Sequence, residues 1–185
     1  IVADNLNATK SCFETLFECH AGGISAMDGS SVDHFCATGG KDGTIRCFDY
    51  IAKSEVFRDS WSEAVTCLVW APVTVSMEGR AVFAGFRDGV VRVLWRGNAH
   101  QGENVSKWTR EQVFKPHNGA VNGMAFSNDG SLFATIGTDG IAFIFKAESL
   151  PKKGATRCYD PVGFISLAIT PDVINDSSTS VFRRQ

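Results

Sequence analysis

Two sets of three residues carry the side chains of nucleophilic catalysis: His20, Thr38 and Asp42, then His117, Thr135 and Asp139. A hydroxyl, an imidazole and a carboxylate are the parts of a hydrolytic triad, in which the imidazole takes the hydroxyl proton and the carboxylate orients the imidazole. In both sets the histidine precedes the aspartate by 22 positions. A second candidate chemistry lies at Gly39-Gly40-Lys41. A glycine pair before a lysine suggests a loop that cradles phosphate.

Neither chemistry fits its surroundings. A phosphate loop needs Ser or Thr directly after the lysine, and then a helix whose amides hold the phosphates. Here Asp42 follows Lys41, and its charge would repel a phosphate. The next residues, TIRCF, are β-branched and alternating, which predicts a strand. Asp42-Gly43 between two such runs predicts a hairpin turn, because glycine tolerates the positive φ of tight turns. The triad lacks a nucleophile elbow and an oxyanion loop. It also recurs, and an arrangement that returns once per repeat is a folding device. The sequence therefore predicts no catalytic residue, no cofactor site and no metal ligand. His34 reads as a strand-edge residue and His100 as a loop residue, neither with partners at metal-binding spacing.

Composition narrows the classes further. A net charge of −2 over 185 residues is too near neutral for general attraction to nucleic acid. No run of about 18 apolar residues occurs, so no membrane-spanning helix is expected. The cysteines Cys12, Cys19, Cys36, Cys47, Cys67 and Cys158 are scattered, without paired zinc spacing, and read as buried free thiols. Cys36 and Cys47 flank one hairpin and are expected to stay unbridged. Glycosylation patterns begin at Asn7, Asn104 and Asn175, and without a secretory leader they read as coincidence. The first ten residues, IVADNLNATK, carry neither an initiator Met nor a leader pattern, so the chain is expected to be a fragment of a longer one.

The elements that must position the two triplets repeat along the chain. Asp42-Gly43, Asp88-Gly89 and Asp139-Gly140 stand 46 and 51 residues apart. Each follows a small-residue apolar run and precedes a period-2 strand. Upstream, residues 13–27 (FETLFECHAGGISAM) align with residues 110–124 (REQVFKPHNGAVNGM). The middle unit has Trp61 at the histidine's place and Ala84 at the threonine's. Its Trp61-to-Asp88 distance of 27 implies five inserted residues, placed at 72–80.

Each unit reads as four short strands; in the third they are predicted at 121–126, 132–137, 141–146 and 155–159. The inner runs, such as LFATIG and IAFIF, are almost continuously apolar, which suits small sheets covered on both faces. Four-stranded units at this period predict an all-β, partial β-propeller of antiparallel blades. The expected divisions are the last strands of a preceding blade at 1–19, blades at 20–60, 61–116 and 117–159, and the start of a following blade at 160–185. The second blade carries insertions at 72–80 and 96–111.

With the core KDGTIRCFD and the upstream histidine, the chain resembles the WD-repeat family over residues 13–172. It departs from that family at the third-strand Trp, where Phe48, Leu94 and Phe145 stand. The resemblance implies that His20, Thr38 and Asp42, and likewise His117, Thr135 and Asp139, form structural hydrogen-bonded chains that end on the threonine hydroxyl. The middle Asp88 is left to turn amides and solvent.

Long connections on a rigid scaffold tend to carry binding. Those at 72–80, 96–111 and 147–157 leave the disc by one face. Arg96, Lys107, Arg110, Lys152, Lys153 and Arg157 give that face a positive bias, and Trp108 is a candidate exposed anchor, with folding back onto its blade as the alternative.

Residues 114–145 and the following DPVGFI resemble propellers of cilia- and flagella-associated axonemal WD-repeat proteins. That resemblance implies a non-catalytic, microtubule-associated scaffold at the axoneme, in the cytoplasm and cytoskeleton of a cilium or flagellum. Its implied partners are tubulin and dynein-associated or tether-complex subunits, with no nucleic acid, membrane or small-molecule substrate. A cytosolic, intraflagellar or vesicle-coat scaffold is the alternative, ahead of a propeller enzyme or a nucleic-acid reader.

Overall fold

The computed structural model describes residues 20–97, 108–147 and 159–166. These residues form strands and turns, with no helix among them. No helix among them is therefore long and apolar enough to cross a membrane. Among the described residues there are twelve strands: β1 (Ile24–Gly29), β2 (Phe35–Gly40), β3 (Thr44–Asp49), β4 (Ser54–Ser60), β5 (Val65–Trp70), β6 (Ala81–Phe86), β7 (Val91–Arg96), β8 (Trp108–Phe114), β9 (Val121–Phe126), β10 (Leu132–Gly137), β11 (Ile141–Ala147) and β12 (Tyr159–Ser166). They make three four-stranded sheets in simple sequence order, β1 to β4, β5 to β8 and β9 to β12. Every pairing is antiparallel.

The turns follow from the Asp-Gly pairs. Gly43, Gly89 and Gly140 have φ of 77°, 82° and 73°, a region that penalises any residue with a Cβ. At Gly43 and Gly89 there is a second requirement, since a Cβ there would overlap the carbonyl oxygens of Trp61 and His117 in the next sheet.

The sheets stack through their first strands, β1 beside β5 and β5 beside β9. A bulge in each first strand serves this contact. Ser25 and Thr66 lie inside register shifts of β1 and β5, so their side chains leave the ladder. Each hydroxyl is 3.0 Å from a carbonyl of its own sheet (Gly39, Gly85) and 2.5 Å from a carbonyl of the next (Val65, Val121). In the middle sheet the apolar inner strand β6 is covered on both faces, with all six residues buried, whereas in the third sheet Leu132 and Ile136 of β10 stay exposed.

The third sheet corrects one expectation. Residues 160–166 were assigned to the start of a following blade, with 155–159 as the last strand of the third. Instead Tyr159–Ser166 pairs with β11 and completes the third sheet. The reason is a bulge shared by all three sheets. The third-to-fourth strand register shifts at Cys47/Phe48, Val93/Leu94 and Ile144/Phe145. Pro161 falls at this bulge on an edge strand, where a proline is tolerated within a sheet.

Candidate functional site

The two histidine-centred chains are fully formed. In the third sheet His117 Nε2 is 2.9 Å from Thr135 Oγ1, and Nδ1 is 3.0 Å from Asp139 Oδ1. A carboxylate only accepts, so Nδ1 carries a proton, and in a neutral imidazole Nε2 then accepts from the hydroxyl. Asp139 also accepts from the amides of Asn118 and Ile141 at 3.1 and 3.2 Å. In the first sheet His20 Nε2 is 2.8 Å from Thr38 Oγ1, and Nδ1 is 3.2 Å from Asp42 Oδ1. Asp42 accepts from the amides of Ala21 and Thr44 at 2.8 and 3.0 Å.

Thr44 adds a member that the sequence reading missed. Its hydroxyl is 2.8 Å from Asp42 Oδ1 and 2.9 Å from His20 Nδ1. The equivalent third-sheet residue is Ile141, which has no hydroxyl. The only sequence signal was a threonine two residues after the turn aspartate.

Burial alone would raise the Asp42 pKa, but the Thr44 amide and hydroxyl, the Ala21 amide and His20 together hold it well below the usual range. Asp139 is likewise lowered: burial opposes the shift, and the Asn118 and Ile141 amides and His117 outweigh it. Gly40 and Gly137 make the room, because a Cβ at either would overlap the neighbouring histidine and aspartate. Thr135 is 0% exposed and His117 1%, so this hydroxyl does not face a substrate in solvent. The arrangement fixes a turn to two strands.

The middle sheet fills the histidine's place without an imidazole. Trp61, Ala84 and Phe86 stand where the flanking sheets have histidine, threonine and glycine. Phe86 is fully buried and meets Trp61 edge to face, with centroids 5.2 Å apart. Asp88 is not left to amides and solvent as expected. It accepts from the Val90 amide at 3.1 Å and pairs with Arg92 at 3.7 Å, whose guanidinium lies over Phe86 at 4.2 Å.

The candidate binding residues are placed differently from one another. Lys107, Lys152, Lys153 and Arg157 lie outside the described residues, as do Cys12, Cys19, Cys158, His100, Asn7, Asn104 and Asn175. Arg96 ends β7 and is buried, with its guanidinium 4.1 Å from the Phe35 ring centre and ion-paired to Asp33. Burial lowers its pKa and Asp33 acts against that. Arg110 donates through Nε and Nη2 to Asp59 of the first sheet, both at 2.8 Å. Trp108 stacks on Phe57 with centroids 4.6 Å apart and meets Trp70 at 6.4 Å. It packs in the cleft between the first two sheets instead of projecting as an anchor, because β8 begins at Trp108 and its register turns the indole inward.

The insertion at 72–80 is packed down. Val75 and Ser76 are buried, and the Trp70 indole donates to the Gly79 carbonyl at 2.6 Å. His34 pairs with Asp49 at 3.0 Å. Cys36, Cys47 and Cys67 are free thiols. Burial pushes Cys67 up to about 11 and Cys47 well above the ordinary value. No group of metal-ligating side chains is found among the described residues.

Sequential four-stranded antiparallel sheets, stacked through their first strands, define a partial, open β-propeller. The chain carries WD40 repeats: the family described as "WD domain, G-beta repeat" matches residues 10–49 and 108–146. Among curated proteins it is 32% identical over 161 residues to cilia- and flagella-associated protein 44 of Mus musculus, covering 83% of this chain and 8% of that protein. It is 29% identical to the protein of the same name from Chlamydomonas reinhardtii, covering 72% of this chain and 7% of that one. With WD repeat-containing protein 90 of Mus musculus it shares 27% identity, covering 74% and 7%. The chain thus spans less than a tenth of these relatives' length. Among solved structures, the β-propeller domain of Myceliophteria thermophila Cps50 (Swd1) matches with TM-score 0.56 and 16% identity, covering 77% of this chain and 41% of that one. A chain of the Mitotic Checkpoint Complex matches with TM-score 0.58 and 18% identity, covering 83% and 42%.

Proposed function

We propose that this chain is part of a non-catalytic WD-repeat scaffold of the ciliary or flagellar axoneme. The observation that carries the reading is the similarity to cilia- and flagella-associated protein 44 in a mammal and in a green alga, spread over most of this chain. The buried His–Thr–Asp chains support it as well, since they hold turns in place and present no reactive group. The partners in this reading are axonemal proteins: tubulin of the microtubules, or subunits of dynein-associated or tether complexes. Rigid stacked sheets with side-chain latches between them suit a docking platform, whose surface must keep its shape as partners bind.

The test is fractionation of cilia that express the tagged full-length protein. The scaffold reading expects the protein to remain with the detergent-extracted axoneme and to leave only under high salt. Recovery entirely in the detergent-soluble fraction overturns it.

A further inference from the structure

Two Asn-Gly pairs stand close together at the entry to the third sheet, Asn118-Gly119 in the connection from β8 to β9 and Asn122-Gly123 inside β9. This dipeptide has a chemistry of its own. Glycine has no Cβ, so its backbone nitrogen is the least hindered toward the side-chain amide before it. Attack of that nitrogen on the asparagine Cγ closes a five-membered succinimide. The side-chain nitrogen leaves as ammonia and takes the proton of the glycine N–H. Water then opens the ring at either carbonyl, which gives aspartate or isoaspartate. One water is consumed and one ammonia released, and nothing is oxidised or reduced.

The fold treats the two pairs differently. Asn118 is exposed, and its side chain makes no hydrogen bond among the described residues. The Gly119 N–H, which carries the attacking nitrogen, is likewise without an acceptor among them. Asn122 is exposed too, but its neighbours are held in the ladder, Val121 paired with Gly137 and Gly123 with Ile136. Reaction at Asn122 must wait until the strand opens.

Asn118 also stands at the third-sheet histidine chain. Its own N–H donates to Asp139 Oδ2 at 3.1 Å, and the Ala120 carbonyl accepts from the Thr138 amide at 2.9 Å. The link from Asn118 to Gly119 is thus spanned by two bonds to one turn. There is no slack at Gly119, where a Cβ would overlap Thr138 Oγ1. Isoaspartate lengthens the main chain by a methylene within that span. It also adds a carboxylate to a turn where Asp139 already supplies one.

We propose that Asn118 is a self-modification site: it deamidates in the folded protein while Asn122 is protected, and isoaspartate at 118 loosens the turn that Asp139 holds. The reaction needs only water, so the inference stands apart from the scaffold reading.

The experiment incubates the full-length protein in mildly alkaline buffer and locates the products by electron-transfer fragmentation, which separates aspartate from isoaspartate. Conversion at Asn118 should be at least about tenfold faster than at Asn122, because ladder opening limits the second site. In guanidinium the two sites should convert at similar rates, since both precede glycine. Equal rates in the folded protein, faster conversion at Asn122, or a preference for Asn118 that persists in guanidinium overturns the proposal. The treated protein should also show faster hydrogen exchange at the Ile141 amide, which donates to Asp139 at 3.2 Å. Asn118→Gln keeps the backbone N–H but cannot close a five-membered ring, so the same treatment should leave its Ile141 exchange unchanged. Exchange that stays unchanged in isoaspartate-containing protein, or that rises equally in Asn118→Gln, overturns the link to the turn.

Discussion

Phe86 meets Trp61 edge to face at 5.2 Å, at the point where the flanking sheets bury a histidine beside a glycine. Three residues differ together: Trp61 for histidine, Ala84 for threonine and Phe86 for glycine. The aromatic pair fills the volume that the other sheets give to a hydrogen-bonded imidazole. The three positions therefore act as one unit with two self-consistent solutions.

That coupling is testable by grafting. Phe86→Gly alone removes a fully buried ring and should cost about 3–5 kcal/mol of local stability. Trp61→His alone leaves an imidazole without its threonine. The triple variant Trp61→His, Ala84→Thr, Phe86→Gly should be more stable than the sum of single costs by about 1–3 kcal/mol. Hydrogen exchange of the β6 and β7 amides in the intact protein reads each opening energy. Strictly additive costs would show that the positions are independent.

The turn aspartates should differ in the same way. Asp139→Ala orphans the buried His117 and two amides, and should cost roughly 1–3 kcal/mol. Asp88→Ala loses one amide contact and a 3.7 Å pair with Arg92, and should cost less. Exchange rates of the β10–β11 and β6–β7 turns measure this. Equal costs would contradict the assignment of the histidine chains as structural.

Much of this was legible in the sequence. The first two strands of the third sheet, Val121–Phe126 and Leu132–Gly137, fall where the apolar runs and the turns between them put them. The Asp-Gly pairs set the turns, because few residues satisfy a positive φ. Trp108 was ambiguous because burial between sheets depends on a stacking partner, Phe57, 51 residues earlier. Strand β12 was misplaced because residues 160–185 were expected to open a following blade, whereas a bulge lets Pro161 sit within the edge strand of the third sheet. The Asp88–Arg92 pair was not legible in the sequence because it depends on the Arg92 guanidinium lying over Phe86.

Acid should loosen the two chains in a defined window. Asp42 and Asp139 have pKa values depressed in the folded state, so their stabilisation is complete above the unfolded carboxylate value of about 3.9. It is lost as pH falls below that, through the lower folded values. Exchange protection around His20 and His117 should hold from pH 7 to about pH 5 and fall below about pH 4. In Asp139→Asn the third-sheet part of that fall should disappear. A loss centred near pH 6.5, where an unperturbed histidine titrates, would contradict this order of events.

Cross-linking mass spectrometry on isolated, detergent-extracted axonemes tests the central claim most directly. The scaffold account predicts cross-links from lysines of this chain, Lys115 among them, to other axonemal polypeptides. It also predicts links within the chain that respect the stacking of β1, β5 and β9. A protein that is absent from the extracted axoneme, or whose cross-links reach no axonemal polypeptide, would contradict it.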